Sequence, residues 1–167
     1  LFDPTNPASS SYNPLLEVRR GDKEVRDVQN IADILVDPDG AIEHRSHWEK
    51  TSHSLLVGVI LHVLYAEEDK TLARVATVLS DPQRSIVDTL HRMLTTDHLG
   101  NGAEPRVHPV VASAARELLN KSPNERSGVL STAMSFLGLY YDPVVAQTTA
   151  TCDWRIADLM NAENPVS

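Results

Sequence analysis

The sequence predicts an all-α fold, a compact domain of about seven helices, and three observations carry that expectation. Proline repeatedly follows a residue able to cap a helix, apolar residues recur at helical spacing behind those pairs, and no internal stretch alternates with period two for long enough to make a strand.

Proline is suited to the first helical position, where its missing N–H costs nothing, and Asp or Ser before it can accept from the exposed amides. Asp81-Pro82, Ser122-Pro123 and Asp142-Pro143 therefore each predict a helix start, and His108-Pro109 predicts a weaker one because His is a poor cap. Ser122 with Glu125 and Ser46 with Glu49 have capping-box spacing, which makes them the firmest starts.

Taken in chain order, Val25, Val28, Ile31, Ala32 and Leu35 form one stripe from Asp22 to about Val36, closed by the turn residues Asp37-Pro38-Asp39-Gly40. Trp48, Leu55, Leu56, Val59, Ile60, Val63 and Leu64 predict the longest helix, apolar around its second half and so central. Leu72, Val75, Val78 and Leu79 follow Thr71 in a short helix; Ile86, Val87, Leu90, Met93 and Leu94 make the next. Val110, Val111, Ala114, Leu118 and Leu119 precede the helix carrying Val129, Leu130, Ala133, Met134 and Leu137, and two short helical pieces close the chain, from Asp142-Pro143 and from Asp153 to Met160. His98 to Arg106, with Gly100-Asn101-Gly102, reads as a mobile loop, and TNPASSSYNP as another. Leu1-Phe2 and Pro165-Val166 read as frayed strands, so the ends look borrowed from a neighbouring α/β domain.

The 167 residues, 41% hydrophobic and 23% charged, suffice for one sizeable core. A net charge of -8 disfavours a general nucleic-acid binder, whose affinity comes mostly from Lys and Arg on phosphates. The longest apolar run, Leu55 to Leu64, is about half of what a bilayer requires, the start lacks a signal-peptide pattern, and Cys152 is the sole cysteine, so a cytosolic setting fits best.

EHRSHWEKTSHSL, residues 43–55, sets His44, His47 and His53 near one another, with His62 beyond. A helical metal site needs at least three ligands converging on one face; these spacings scatter, and the expectation is polar residues flanking a helix start, with no metal. Cys152 near Arg155 reads as packing rather than a nucleophile, and with no G-x-S-x-G turn and no G-x-x-x-x-G-K-[ST] string no catalytic residue is assigned. Trp48 could stack on a base, but aromatics are only 5% of the chain and core packing is expected instead; a buried ring there would cost about 3 to 5 kcal/mol on truncation to Ala. Arg116, Lys121 and Arg126 straddle the turn NKSPNER, either complementing a helix C-terminus or, with Asn124, meeting a partner. Arg19, Arg20 and Lys23, interleaved with acids, read as a mixed-sign face and, with Trp48, as the candidate DNA contacts.

The strings FDPTNPASSSYNPL, VQNIADILVDPDG, HWEKTSHSLLVGVILHVLY, HPVVASAARELLNKSPNERSGVLSTAMSFLGLYYDPVV and DWRIADLM, in that order, resemble the conjugative coupling proteins of type IV secretion systems, the TraG-like branch. The resemblance implies membrane-anchored, ring-forming (hexameric) ATPases that use ATP and Mg and pass relaxase-bound DNA to the secretion channel, with an all-helical domain inserted in the motor. On that reading residues 1–20 lead in from the nucleotide-binding domain, 21–150 are the all-α domain, and 151–167 return. Walker A would lie upstream and Walker B downstream, so the chain by itself is expected to be neither an enzyme nor a cofactor binder. What remains for it is docking of the relaxase and relaxosome accessory proteins on the cytoplasmic side, without membrane contact of its own. Weak single-stranded DNA contact at the mouth of the ring, or a structural insert, are the alternatives.

Overall fold

The computed structural model describes residues 2–40 and 44–161. They form eight α-helices: α1 Glu24–Val36, α2 His47–Ala66, α3 Leu72–Leu79, α4 Ile86–Thr95, α5 Pro109–Leu119, α6 Pro123–Phe136, α7 Pro143–Thr148 and α8 Ile156–Asn161, with 3₁₀ turns at Pro14–Glu17 and Gly138–Tyr141. No strand occurs among the described residues, so the all-α expectation holds.

Helix α2 is the axis. Every residue from Leu55 to Leu64 is buried, because α1, α3, α5 and α6 all pack on it. An apolar surface around the whole helix must be covered on every side, and this one is. Gly58 lets α5 approach closely, since a Cβ there would stand 2.5 Å from that of Ala114. Ser52, fully buried, donates to the carbonyl of Val129 in α6 at 3.0 Å, so its hydroxyl is satisfied where α2 meets α6. α4 rests on α5.

Several local expectations change. Asp81-Pro82 opens a turn, with Asp81 accepting from Gln83 N–H and from Arg84 N–H, and α4 starts only at Ile86, where Ser85 accepts from Asp88 N–H and so caps the helix. His108 is a working cap: its Nδ1 accepts from Val110 N–H at 3.1 Å. Ser46–Glu49 is a complete capping box, whereas at Ser122 only the hydroxyl half forms and Glu125 turns its carboxylate elsewhere. The final helix is shorter than the sequence suggests, Ile156–Asn161.

Phe2, expected in a strand, instead belongs to an aromatic group in which Tyr12 stacks on Trp154 at 4.4 Å and Phe2 meets both edge-on. Leu1 and Pro165-Val166 lie outside the described residues. The two terminal regions are tied directly: Ser11 N–H donates to Asp153 at 2.7 Å, Asp153 N–H returns to Ser11 O, and Asn13 donates to the carbonyls of Lys70 and Ala150. Leu15 and Val18 lie in the same core as α2.

Candidate functional site

Helix α2 rises about 1.5 Å per residue, so its 20 residues hold two chemically different regions roughly 25–30 Å apart. The sequence-derived contact residues divide between them.

At its start, the capping box fixes the first turn and puts Trp48 at the surface. The indole is 43% exposed, not buried as expected. The reason is its seat: its six-membered ring lies against Gly128 of α6, where a Cβ would come within 2.7 Å of it, so the indole rests on a residue without a side chain and stays part-exposed. Beside it, His47 Nε2 meets Glu125 Oε1 at 2.9 Å and Lys121 Nζ meets the same oxygen at 3.0 Å. Those two contacts, the His47 one first, hold the Glu125 carboxyl below its ordinary value. Arg126 donates to the carbonyls of Leu118, Leu119 and Lys121, closing the C-terminus of α5. Asn124 is exposed, and Arg116, in the last turn of α5, is exposed with no side-chain partner among the described residues. Of the three basic groups flanking this turn, Lys121 and Arg126 thus already serve intramolecular acceptors.

Near the other end stand Arg19, Arg20 and Lys23, which the structure separates from Trp48. Arg19 grips Asp27 through Nε at 2.9 Å and Nη2 at 2.6 Å, and these bonds, with one from its backbone N–H, pull Asp27 down to about 2. Arg20 lies 3.9 Å above the Tyr65 ring and donates to Leu64 O. Lys23 is exposed at the start of α1.

The same end encloses a polar chain that no motif announces. Glu24, 4% exposed, accepts from Tyr65 OH at 2.8 Å, from Gly21 N–H at 3.1 Å and from His108 Nε2 at 3.1 Å. His108 N–H donates to His98 Nδ1 at 3.3 Å, and His98 Nε2 lies 2.9 Å from His62 Nδ1. The tautomers follow. A ring nitrogen that accepts cannot carry the proton, so His108 and His98 are both protonated on Nε2, and His62 accepts on Nδ1. Burial, then the adjacent His98, pushes His62 down to about 4; burial also lowers His98. Burial works against the Glu24 charge, but the bonds from Tyr65, Gly21 and His108 together hold its carboxyl below 4.5.

His98 begins the loop after α4. Asp97 organises that loop by accepting from the N–H groups of Gly100, Gly102 and Arg106 at 2.7, 3.1 and 2.9 Å, and a side chain at Gly100 would collide with that carboxylate. The segment read as a mobile loop is therefore closed on an internal anion. Hydrogen-bond partners 36 and 84 residues apart leave no local spacing to find; the one available signal was a histidine in an otherwise apolar stripe, His62.

The opening histidines do not converge. His47 faces Glu125, His53 Nε2 lies 3.0 Å from Asp33 without hydrogen-bond geometry, and His62 faces His98. Among the described residues no three His, Cys, Asp or Glu side chains could hold a metal ion. Cys152 Sγ accepts from Asn13 N–H at 3.2 Å. A groove of about 790 Å³ runs between the Pro14–Glu17 turn, α1 and α8, lined by Tyr12, Val18, Ile31, Ile34 and Ile156. No helix among the described residues is long and apolar enough to cross a membrane.

Residues 1–166 match the family of the Type IV secretory system Conjugative DNA transfer proteins. Two curated relatives, each a "Conjugal transfer protein TraG" of Escherichia coli, are 45% identical, one over 173 residues covering 99% of this chain and the other over 170 covering 96%. The chain spans about a quarter (26%) of the length of each. No solved structure matches.

Proposed function

This chain belongs to the type IV secretory system conjugative DNA-transfer family, as a piece of a TraG-like coupling protein, and from that premise we propose that it is a substrate-recognition domain that docks the relaxase and relaxosome accessory proteins. The observation that favours a protein partner is the Trp48 face. A half-open indole held on a glycine is the kind of rigid aromatic anchor that concentrates binding energy at protein interfaces. His47 beside the ring, with Glu125 and Lys121 bonded in turn, supplies polar groups for orientation, and Asn124 and Arg116 are exposed on the α5–α6 segment. The charges a phosphate backbone would need are largely engaged: Arg126 by carbonyls, Lys121 by Glu125, Arg19 by Asp27.

In the whole protein, residues 1–20 and 151–167 would join this domain to a nucleotide-binding motor that supplies ATP, Mg and the ring, anchored at the bacterial inner membrane with this domain on the cytoplasmic side. The apolar groove beside α8, with Ile34 65% exposed at its edge, supports covering of that side by the motor. No catalytic role falls to the chain itself.

The test is retention of the cognate relaxase by the immobilised chain. The wild type is expected to retain it, and Trp48→Ala to lose about tenfold or more in affinity with an unchanged helical spectrum. A folded wild type that retains none sinks the proposal. Titration with labelled single-stranded DNA at two salt concentrations is expected to show weak binding; tight, steeply salt-dependent binding would move the function to the DNA-contacting alternative.

A further inference from the structure

The loop between α4 and α5 is fastened at two places, and the two differ in what can undo them. One is the Asp97 carboxylate with its three backbone donors. The other is His98, which is 7% exposed although residues 101–106 on the same loop are all exposed. Its ring reaches inward and is fixed at both nitrogens, Nδ1 accepting from His108 N–H and Nε2 donating to His62 Nδ1. Its backbone N–H and that of Leu99 both bond to Arg106 O, so the ring that enters the core also closes the loop neck.

We infer that His98 is a proton-operated latch: its neutral imidazole holds residues 97–107 against the core, and protonation of Nδ1 releases them. The reason is the donor-acceptor count. A protonated Nδ1 becomes a donor facing the His108 N–H, so an attraction becomes a clash of two donors, which the Thr96 carbonyl beside the ring offsets only in part. Burial and the adjacent His108 outweigh the groups that favour the new charge, Asp97 and the Thr96 carbonyl. From α2 it faces His62 and Tyr65, whose hydroxyl is committed to Glu24; from the α5 cap it faces His108; from α1 Glu24 is already engaged by Tyr65, Gly21 and His108. On its own loop Asp97 favours the charge but is held by the backbone donors, and beyond His62 stand Glu67, favourable, and Arg92 and Arg84, unfavourable. Asp97 and Glu24 are both held below their ordinary values of 3.8 and 4.5 by the hydrogen bonds they accept, and burial lowers His98 from 6.5. The device would govern presentation of the exposed Asn101–Arg106 surface, independently of whether Trp48 docks a partner.

The test is amide exchange of the wild-type chain between pH 7 and about 5, expressed as protection factors so that intrinsic exchange chemistry cancels. Protection at Leu99, Gly100, Arg106 and His108 is expected to fall by about tenfold or more beyond the fall at Val59–Val63 in α2, which follows global stability. The midpoint should coincide with His98 protonation read from its imidazole nitrogen shifts. His98→Phe should leave the loop poorly protected at every pH and remove the dependence. Should that variant not fold, the wild-type comparison of imidazole and amide midpoints decides alone. Three results overturn the latch: His98 protonating with loop protection intact, loop and α2 amides losing protection by the same factor, or His98→Phe keeping the wild-type pH profile.

Discussion

The two ends of α2 solve opposite problems with the same residue types. At the start, His47, Glu125 and Lys121 meet in contact with water, and their geometry leaves Trp48 free to touch something else. Near the end, Glu24 and three histidines are sealed inside beside a half-buried Tyr65, and nearly every polar atom is spoken for by another part of the chain. A carboxylate with a histidine is worth little in the first setting and a great deal in the second, because water can replace a lost partner only where water is present. The exposed cluster can therefore change its partner cheaply, and the buried one cannot.

The strongest way to break that contrast is Glu24→Ala. It removes the acceptor for the Tyr65 hydroxyl, the Gly21 amide and the His108 ring, all in a site 4% exposed. A loss of about 3 to 5 kcal/mol is expected by urea denaturation, the range for breaking one side of a buried polar pair. If the midpoint shifts by less than about 1 kcal/mol equivalent, the network is wetter than its geometry says.

Acid should act on the same end. His62 is pushed down to about 4 and His98 lowered from 6.5, so between 6.5 and the folded values the unfolded chain binds protons that the folded chain refuses. Stability is then fully present above about pH 6.5 and falls as pH drops towards 4, with His62 alone worth about 3 kcal/mol at the bottom of that window. Glu24, lowered from 4.5, adds loss below that value in the same direction. Thermal melts from pH 7.5 to 4 would show it; a melting temperature flat from 6.5 to 4.5 would contradict neutral buried imidazoles.

Arg126→Met sharpens the comparison from the exposed end. Its guanidinium closes the last carbonyls of α5, so removal should cost about 1 to 2 kcal/mol, the net worth of charge-assisted bonds to carbonyls at a half-buried site. An unchanged melt together with lost relaxase retention would instead mark Arg126 as a contact residue.

How much of this was legible depends on sequence separation. Ser46, Thr71, Ser85, Ser122 and Asp142 act on amides two or three residues away, so every helix start that they make can be read from short strings. The stripe around Leu55–Leu64 likewise announced a central helix. Asp81-Pro82 misled because two adjacent caps compete and the second, Ser85, wins. Trp48 misled because composition says nothing about Gly128, 80 residues on, whose missing side chain makes the shallow seat. The buried histidine chain was beyond reach for the same reason: the bonds that tie His98 to His62, and Glu24 to Tyr65 and His108, join elements that only the fold brings together.

Trp48→Ala is the smallest expected effect on stability and the most diagnostic of the exposed end. Its ring is 43% exposed and rests on backbone, so truncation opens no internal cavity, and Ala is the better helix former at a first-turn position. A change under about 1 kcal/mol follows, well below the 3 to 5 kcal/mol that a core tryptophan would cost. Gly128→Ala offers the complement, since the new Cβ would meet the indole at 2.7 Å and tilt a ring that is free to move outward. Both variants should melt like the wild type and both should bind the partner protein more weakly. If Trp48→Ala instead loses several kcal/mol, the indole is a structural wedge between α2 and α6, and the anchor role passes to the polar groups around it.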